Sequence, residues 1–407
     1  MDSKFIKNNN SIDLYGQSMV FHCNHYNRFL QQTIEDADYI NYEKILVKSC
    51  AEVVFEQLSE YFNVTPNLDL KQKLQFASDM FKYCGFGLLD FSATNFSGGK
   101  VIGKISHYGN ALKLNFGQRK HAGEYFDKGF ILGTIGAISG TLSGQYFADD
   151  IKIKQHKSVS LGEDYCEFEL ELDENIFTKD FSINKEIPDR KIPTNIDENL
   201  IIDTVSQMPL IGDDEGLIPA FGVYLTRMYA DYYNKISFRF EEELKKETGT
   251  YDLAKDLLIE AGRVCAFNTF GGIMLSDPWK ALIKPMIETK EDWLHGILGV
   301  VNCLGWGVWR IEELVPNEKL VLRAYQDYES LGYLKWFGKA DRNISYLLTG
   351  GSEGLMNLLY NGDITKEPEL TKKYYYELFN DGNYFRGTQT KCLAKGDEYS
   401  EVVVTRG

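Results

Sequence analysis

Apolar residues recur at helical spacing between about Tyr15 and Phe62, with Phe29, Ile34, Ile45, Leu46, Val53, Val54 and Leu58 on shared faces. This predicts an early helical region. A second helix is predicted from about Leu70 to Tyr83, leading into a strand at Gly85-Phe-Gly-Leu-Leu-Asp-Phe91. Ser97-Gly-Gly-Lys100 signals a turn, and Val101 to His107 alternates like the return strand of a hairpin. Gly129 to Phe147 again has helical character. Ile151 to Leu172 alternates about Gly162 and predicts a closing hairpin.

Residues 173–199 are polar and charged, with Pro188 and Pro193, and predict a linker. From about Leu200 the same plan returns. An insertion near Asn361 to Asn380, charged and carrying Tyr374-Tyr-Tyr376, is expected to decorate the surface or cover the other copy. The pattern predicts an α+β fold used twice: residues 1–172, a linker over 173–199, and residues 200–407, each a helix–hairpin–helix–hairpin domain, packed as an intramolecular pseudo-dimer.

Motifs in register support that duplication. Gly16-Gln-Ser-Met-Val-Phe21 aligns with Gly216-Leu-Ile-Pro-Ala-Phe221, and Ile45-Leu-Val-Lys-Ser-Cys50 with Leu257-Leu-Ile-Glu-Ala-Gly262. Cys84-Gly-Phe-Gly matches Leu304-Gly-Trp-Gly, and Gly162-Glu-Asp-Tyr165 matches Gly396-Asp-Glu-Tyr399. A period of this length means duplicated domains and not a solenoid.

A net charge of −15 argues against binding to a phosphate backbone, so no nucleic-acid partner is expected. The most apolar run, Gly296 to Trp309, is too short and too rich in glycine to span a bilayer. The N-terminal residues lack the apolar core of a secretory signal. Seven cysteines without a Cys-x-x-Cys pair suit a reducing compartment. A soluble, cytoplasmic protein is expected, with homo-oligomers allowed. The 25 Tyr and 25 Phe can line an apolar cavity, although most of them are expected to fill the core.

Five of the six histidines, His22, His25, His107, His121 and His156, fall in the first copy. His22-Cys-Asn-His25 is the sharpest local feature: on a helix, positions i and i+3 share a face, so both imidazoles could meet one metal ion. The motif alignment puts Gly222 and Leu225 at the corresponding places in the second copy. His107, aligned with Asp327, and His121 complete a candidate metal set, to which Glu52 and Glu56 could add carboxylates. His156 reads as a surface residue. Gly133, Gly136, Gly140 and Gly144 line one helix face, as close packing requires, without the order of a phosphate loop. No Gly-x-Ser-x-Gly elbow or His-Glu-x-x-His helix occurs.

Leu257-Leu-Ile-Glu-Ala-Gly262, the Gly305-Trp-Gly-Val-Trp strand, Glu353-Gly354 and the closing Lys391-Cys-Leu-Ala-Lys-Gly-Asp-Glu-Tyr399 hairpin together resemble the 4-vinyl reductase (hydrocarbon-binding) domain, which is related in fold to small subunits of the vesicle-tethering trafficking complex. The resemblance implies an internal pocket for a small apolar or aromatic molecule. Zinc-bearing relatives carry two cysteines across the closing turn. Here Ser158 and Cys166 stand there in the first copy, and Cys392 and Ser400 in the second, so zinc is not expected at either hairpin.

The leading expectation is therefore a small-molecule binder whose first domain carries a specialised polar or metal site. His22, His25, Tyr26 and Phe86 are its expected ligand-binding residues, and His22, His25, His107 and His121 would hold an iron-type transition metal. The alternatives are a metal-dependent enzyme acting on an apolar substrate through His22 and His25, and an adaptor or scaffold. Whether the chain turns over a substrate is left open by the residues.

Overall fold

A computed structural model describes residues 1, 3–95, 98–139, 153–171, 187–379 and 382–407. Residues 173–186 of the expected linker, Gly140 and Gly144 of the glycine series, and the end of the helix expected to reach Phe147 lie outside the described residues.

The chain opens with strands β1 (Lys4–Ile6), β2 (Ser11–Leu14) and β3 (Gln17–Cys23), and only then enters helix α1 (Asn24–Glu35). The continuous early helix expected from Tyr15 is thus corrected. Tyr15 and Gly16 both have positive φ, 53° and 81°, and turn β2 back on β3 as a tight hairpin. A two-residue reversal of this kind is invisible to a periodicity count.

Helices α2 (Tyr42–Val64) and α3 (Leu70–Tyr83) follow. α3 begins where the pattern placed it because Asp69 and Gln72 form a reciprocal cap: Gln72 N–H donates to Asp69 Oδ1 at 2.8 Å, and Asp69 N–H to Gln72 Oε1 at 2.9 Å. Strands β4 (Gly87–Asn95) and β5 (Gly98–Ser106), helices α4 (His107–Phe116) and α5 (Tyr125–Ser139), and the closing strands β6 (Ile153–Lys157) and β7 (Cys166–Glu171) complete the N-terminal half.

The C-terminal half has α6 (Glu198–Ser206), β8 (Ile218–Ala220), β9 (Val223–Tyr229), α7 (Ala230–Thr248) and α8 (Asp252–Cys265). α8 widens into a π-helical turn at Ala266–Phe270 before α9 (Gly271–Leu275), α10 (Asp277–Leu282) and α11 (Asp292–Val301). β10 (Val308–Val315), β11 (Lys319–Tyr325), α12 (Tyr328–Phe337), α13 (Tyr346–Met356), α14 (Lys372–Phe379), β12 (Phe385–Lys391) and β13 (Ser400–Arg406) finish the chain. The protein is mixed helix and sheet, and its sheets are antiparallel. No described helix is long and apolar enough to cross a membrane; the apolar run from Gly296 is divided between α11 and β10.

Two four-stranded sheets run in the orders β4-β5-β7-β6 and β10-β11-β13-β12, so strand order by position is the same in each half. The third sheet, β1-β2-β3-β9-β8, joins the halves through β3 and β9, with Met19 opposite Tyr229, His22 opposite Thr226 and Cys23 opposite Leu225. Phe21 N–H donates to Leu304 O at 2.9 Å, and Arg227 N–H to Cys84 O at 2.8 Å, tying each half's strand to the other half's Gly-aromatic-Gly loop. The turn at Phe221 and Gly222 (φ 53° and 75°) repeats that at Tyr15 and Gly16. Counted from these matching turns, Gly16 and Gly222 hold the same place, and Met228 and Asp231 lie as far beyond Gly222 as His22 and His25 lie beyond Gly16. The alignment to Gly222 and Leu225 is corrected by this turn.

Ion pairs add to the join. Glu52 meets Lys235 and, at 2.9 Å, Arg239, while Glu56 lies 3.9 Å from Lys335. These carboxylates are used between helices and do not face the histidines. Of the glycine series, Gly133 packs closely as expected, since a Cβ there would come within 2.6 Å of Ala51 O, and Gly129, one turn earlier, would bring a Cβ within 2.5 Å of Cys50 Cβ. One continuous apolar core runs through both halves.

Candidate functional site

The residues of the expected site do not meet. Strand β3 ends at Cys23, so His22 lies on a strand and His25 on the first turn of α1, and the two do not share a helix face. His22 is fully buried at the seam between the halves. Its ring is stacked between Tyr26, with centroids 4.2 Å apart, and Trp306, 4.6 Å apart, both at 19°, and meets Tyr233 edge-on at 4.8 Å. Nδ1 is 3.6 Å from Cys265 Sγ, and Nε2 has no hydrogen-bond partner among the described residues. Burial holds its pKa well below the ordinary value, so the ring is neutral.

His107 begins α4 and takes part in a buried network. Asn27 Nδ2 is 3.1 Å from His107 Nε2 and 2.9 Å from Thr226 Oγ1, while Tyr233 OH donates to Asn27 Oδ1. Burial pushes the His107 pKa down to about 3. His121 is exposed, with Nε2 2.9 Å from Arg119, whose guanidinium pairs with Glu35. His156 is also exposed and lies 2.7 Å from Glu169, the surface position expected of it. Among the described residues no group of three or more His, Cys, Asp or Glu side chains is placed to hold a metal ion.

The closing hairpins hold carboxylate–hydroxyl networks. Glu124, fully buried, accepts from Ser158 Oγ at 2.7 Å, from Ser160 N–H at 2.8 Å and from Gln155 Nε2 at 2.9 Å. In the other half Asp327 accepts from Ser400 Oγ at 2.8 Å and Ser330 N–H at 2.9 Å. Burial raises the Cys166 and Cys392 thiols, keeping them protonated. One protonated thiol among hydroxyls is a donor set that does not fit tetrahedral zinc.

Phe86 is core, 4.6 Å from Phe126 and 5.5 Å from Phe81. Of the four expected ligand-binding residues His25 lines a cavity, and His22, Tyr26 and Phe86 are buried. That cavity is a cleft of about 570 Å³ between α1, α7, α8 with its π turn, and α14. Phe29, Phe240, Leu244, Leu257, Val264 and Phe267 form its apolar walls, and His25, Arg28, Gln32 and Asn268 supply polar groups. Burial, and then the nearby Arg28 charge, lowers the His25 pKa to about 4.

Leu370, Tyr375 and Tyr376, from the insertion, close one side of this cleft. Tyr375 is held there by a hydrogen bond to Glu260 and an edge contact of 5.2 Å with Phe267. Exposed Tyr39, Leu253 and Tyr376 stand at the mouth. Most of the lining was missed by sequence reasoning, because it comes from four segments that share no local motif. The run Tyr374-Tyr-Tyr376 was its one visible signal. A second groove of about 920 Å³, between α3 and β4, combines Leu74, Leu88 and Phe91 with the charged groups Lys71, Lys82, Lys104, Asp79 and Asp90.

No family model matches the chain, and no curated protein does. A crystal structure of the phenol-responsive sensory domain of the transcription activator PoxR with phenol is similar over 51% of this chain and 88% of that one, at 11% identity and a TM-score of 0.36. A likeness at that level assigns neither fold nor ligand.

Proposed function

We propose that the chain binds a small, largely apolar molecule, with an aromatic ring as the best fit, in the cleft between α1 and α8. The observation that carries this reading is the cleft itself: about 570 Å³ with continuous Phe, Leu and Val walls and a few convergent polar groups. That is the size and character of a small-molecule site. His25, held neutral, is suited to hydrogen-bond a hydroxyl or carbonyl on the guest.

We further propose that the two halves are copies of one domain of the 4-vinyl reductase type, joined as a pseudo-dimer. Supporting this are the common strand order, the matching turns and the β3–β9 pairing. In this reading the cleft lies between copies, and the specialised chemistry belongs to the seam and not to the first domain alone.

Isothermal titration with toluene, phenol, indole and 2-naphthol tests the binding reading. Saturable binding with a negative heat-capacity change is expected for at least one of them. Leu257→Trp should abolish it by filling the cleft, while Ser78→Trp, in the α3–β4 groove, should leave it intact. Binding that survives Leu257→Trp, or no binding by any of the four, overturns the proposal.

A further inference from the structure

Directly behind the cleft wall two cysteines from opposite halves of the chain share one polar pocket. Cys23 is the residue that ends β3 and precedes α1, and Cys265 ends α8, immediately before the π-helical turn. Both are free and fully buried. Thr269, on the π turn, donates its hydroxyl to Cys23 Sγ at 2.9 Å and lies 3.7 Å from Cys265 Sγ.

The other cysteines are held differently. Cys50 donates its S–H to Phe126 O at 3.2 Å and Cys303 to Gly299 O at 3.3 Å, the arrangement of inert protonated thiols. Cys23 accepts the Thr269 hydroxyl at 2.9 Å. Burial by itself would raise its pKa, but hydrogen bonds from Cys265, Thr269 and the Tyr26 and His25 amides outweigh it and bring the value to about 7. A thiol before the first turn of a helix, accepting a hydroxyl hydrogen bond, is the setting of a reactive thiolate. Burial pushes Cys265 the other way, so that one sulfur is suited to attack and the other to wait as a thiol.

We propose that Cys23 and Cys265 are a redox-active dithiol that reduces hydroperoxides and closes into a disulfide joining β3 to α8. The Cys23 thiolate attacks the outer oxygen of the hydroperoxide. The O–O bond breaks, an alcohol (water, from hydrogen peroxide) leaves with a proton, and Cys23 becomes a sulfenic acid. The Cys265 sulfur then attacks the Cys23 sulfur: the S–S bond forms, the S–O bond breaks, and the departing hydroxide leaves as water with the Cys265 proton. His22 Nδ1 lies 3.6 Å from Cys265 Sγ.

Two thiols are oxidised and one peroxide is reduced. Neither sulfur lines the cleft, although their chain neighbours His25, Val264 and Asn268 do, so the reaction requires a shift of the π turn carrying Thr269 to admit a molecule as small as hydrogen peroxide. π turns of this kind are frequent at functional sites.

The full chain, treated with hydrogen peroxide, is unfolded in guanidinium with N-ethylmaleimide and digested without reductant for mass spectrometry. A Cys23–Cys265 linked peptide is expected, with the other five of the seven cysteines blocked by maleimide. Cys265→Ser should stop at a sulfenic acid on Cys23 that dimedone traps, and Cys23→Ser should leave Cys265 reduced. Seven alkylated cysteines after peroxide treatment of the unaltered protein, or a disulfide that uses a different cysteine, overturns the proposal without reference to any variant.

Discussion

Phe86 and Trp306 occupy the same backbone setting in different chemical surroundings. Each stands between two glycines of positive φ: Gly85 and Gly87 at 78° and 119°, Gly305 and Gly307 at 83° and 96°. Each loop abuts the other half's strand so closely that no side chain fits. A Cβ on Gly305 would lie 2.3 Å from Met19 O, and one on Gly85 2.6 Å from Ile218 Cγ1. Around Phe86 the contacts are Phe81, Phe126, Phe130 and Tyr229. Around Trp306 they are His22, Phe270 and Trp309, with the indole N–H donating to Phe21 O at 3.1 Å. Cys265, and with it Cys23 and Thr269, adjoins His22 on this side. The backbone is shared while the polar chemistry is concentrated on one side, and a residue of the N-terminal half supplies its imidazole.

The largest expected effects come from emptying either position. Trp306→Ala and Phe86→Ala should each cost about 3–5 kcal/mol in denaturant unfolding. Trp306→Phe should lose the indole hydrogen bond, about 1 kcal/mol, plus the volume difference. A Phe86→Ala variant as stable as the parent would break the comparison.

Acid should act next. His22, with a pKa well below 6.5, and His107, at about 3, refuse protons that the unfolded chain binds from pH 6.5 downward. Stability is thus fully present above pH 6.5 and falls as the pH drops. The loss is about 2 kcal/mol for His107 by pH 5, at 1.4 kcal/mol per pH unit, and His22 adds to it in the same direction. Glu329, raised to about 8 by burial and then by the Asp327 charge against the amides of α13, acts with the opposite sign, losing stability as the pH rises from 4.5 toward 8. Melting temperatures measured between pH 5 and 8 should show a maximum between these limbs, and a flat profile would exclude both.

Asn27→Ala should cost about 1–3 kcal/mol, because it strands Tyr233 OH, Thr226 and His107 together. Asn27→Asp should recover part of this if the carbonyl bond to Tyr233 dominates. The smallest change is expected from His22→Phe. Nε2 has no partner among the described residues, and the stack between Tyr26 and Trp306 accepts a phenyl ring, so stability should move by no more than about 1 kcal/mol while the His22 share of the acid limb disappears. A loss above 3 kcal/mol would show that the imidazole is bonded in a way the packing does not reveal.

Much of the fold was legible in the sequence wherever local rules are strong. The bounds of α3, the closing hairpins around Gly162 and Gly396, and the Gly-aromatic-Gly loops follow from caps, turns and alternation that act within a few residues. The order of the strands in each half was also legible as order of motifs, since a motif keeps its sequence while loops change length.

Tertiary structure decided what lies together. His22 and His25 are three residues apart, yet one belongs to a strand and the other to a helix, because the Tyr15–Gly16 hairpin moves the helix start to Asn24. Cys23 and Cys265, far apart in the chain, share a hydroxyl because β3 pairs with β9 and brings α8 behind it. The cleft has walls from four segments with no common pattern, and each of those residues satisfies the ordinary rule for the face of an amphipathic helix. Period and capping energies act along the chain and can be read there. Which faces meet is settled by burying apolar area between distant segments, and that term has no local signature.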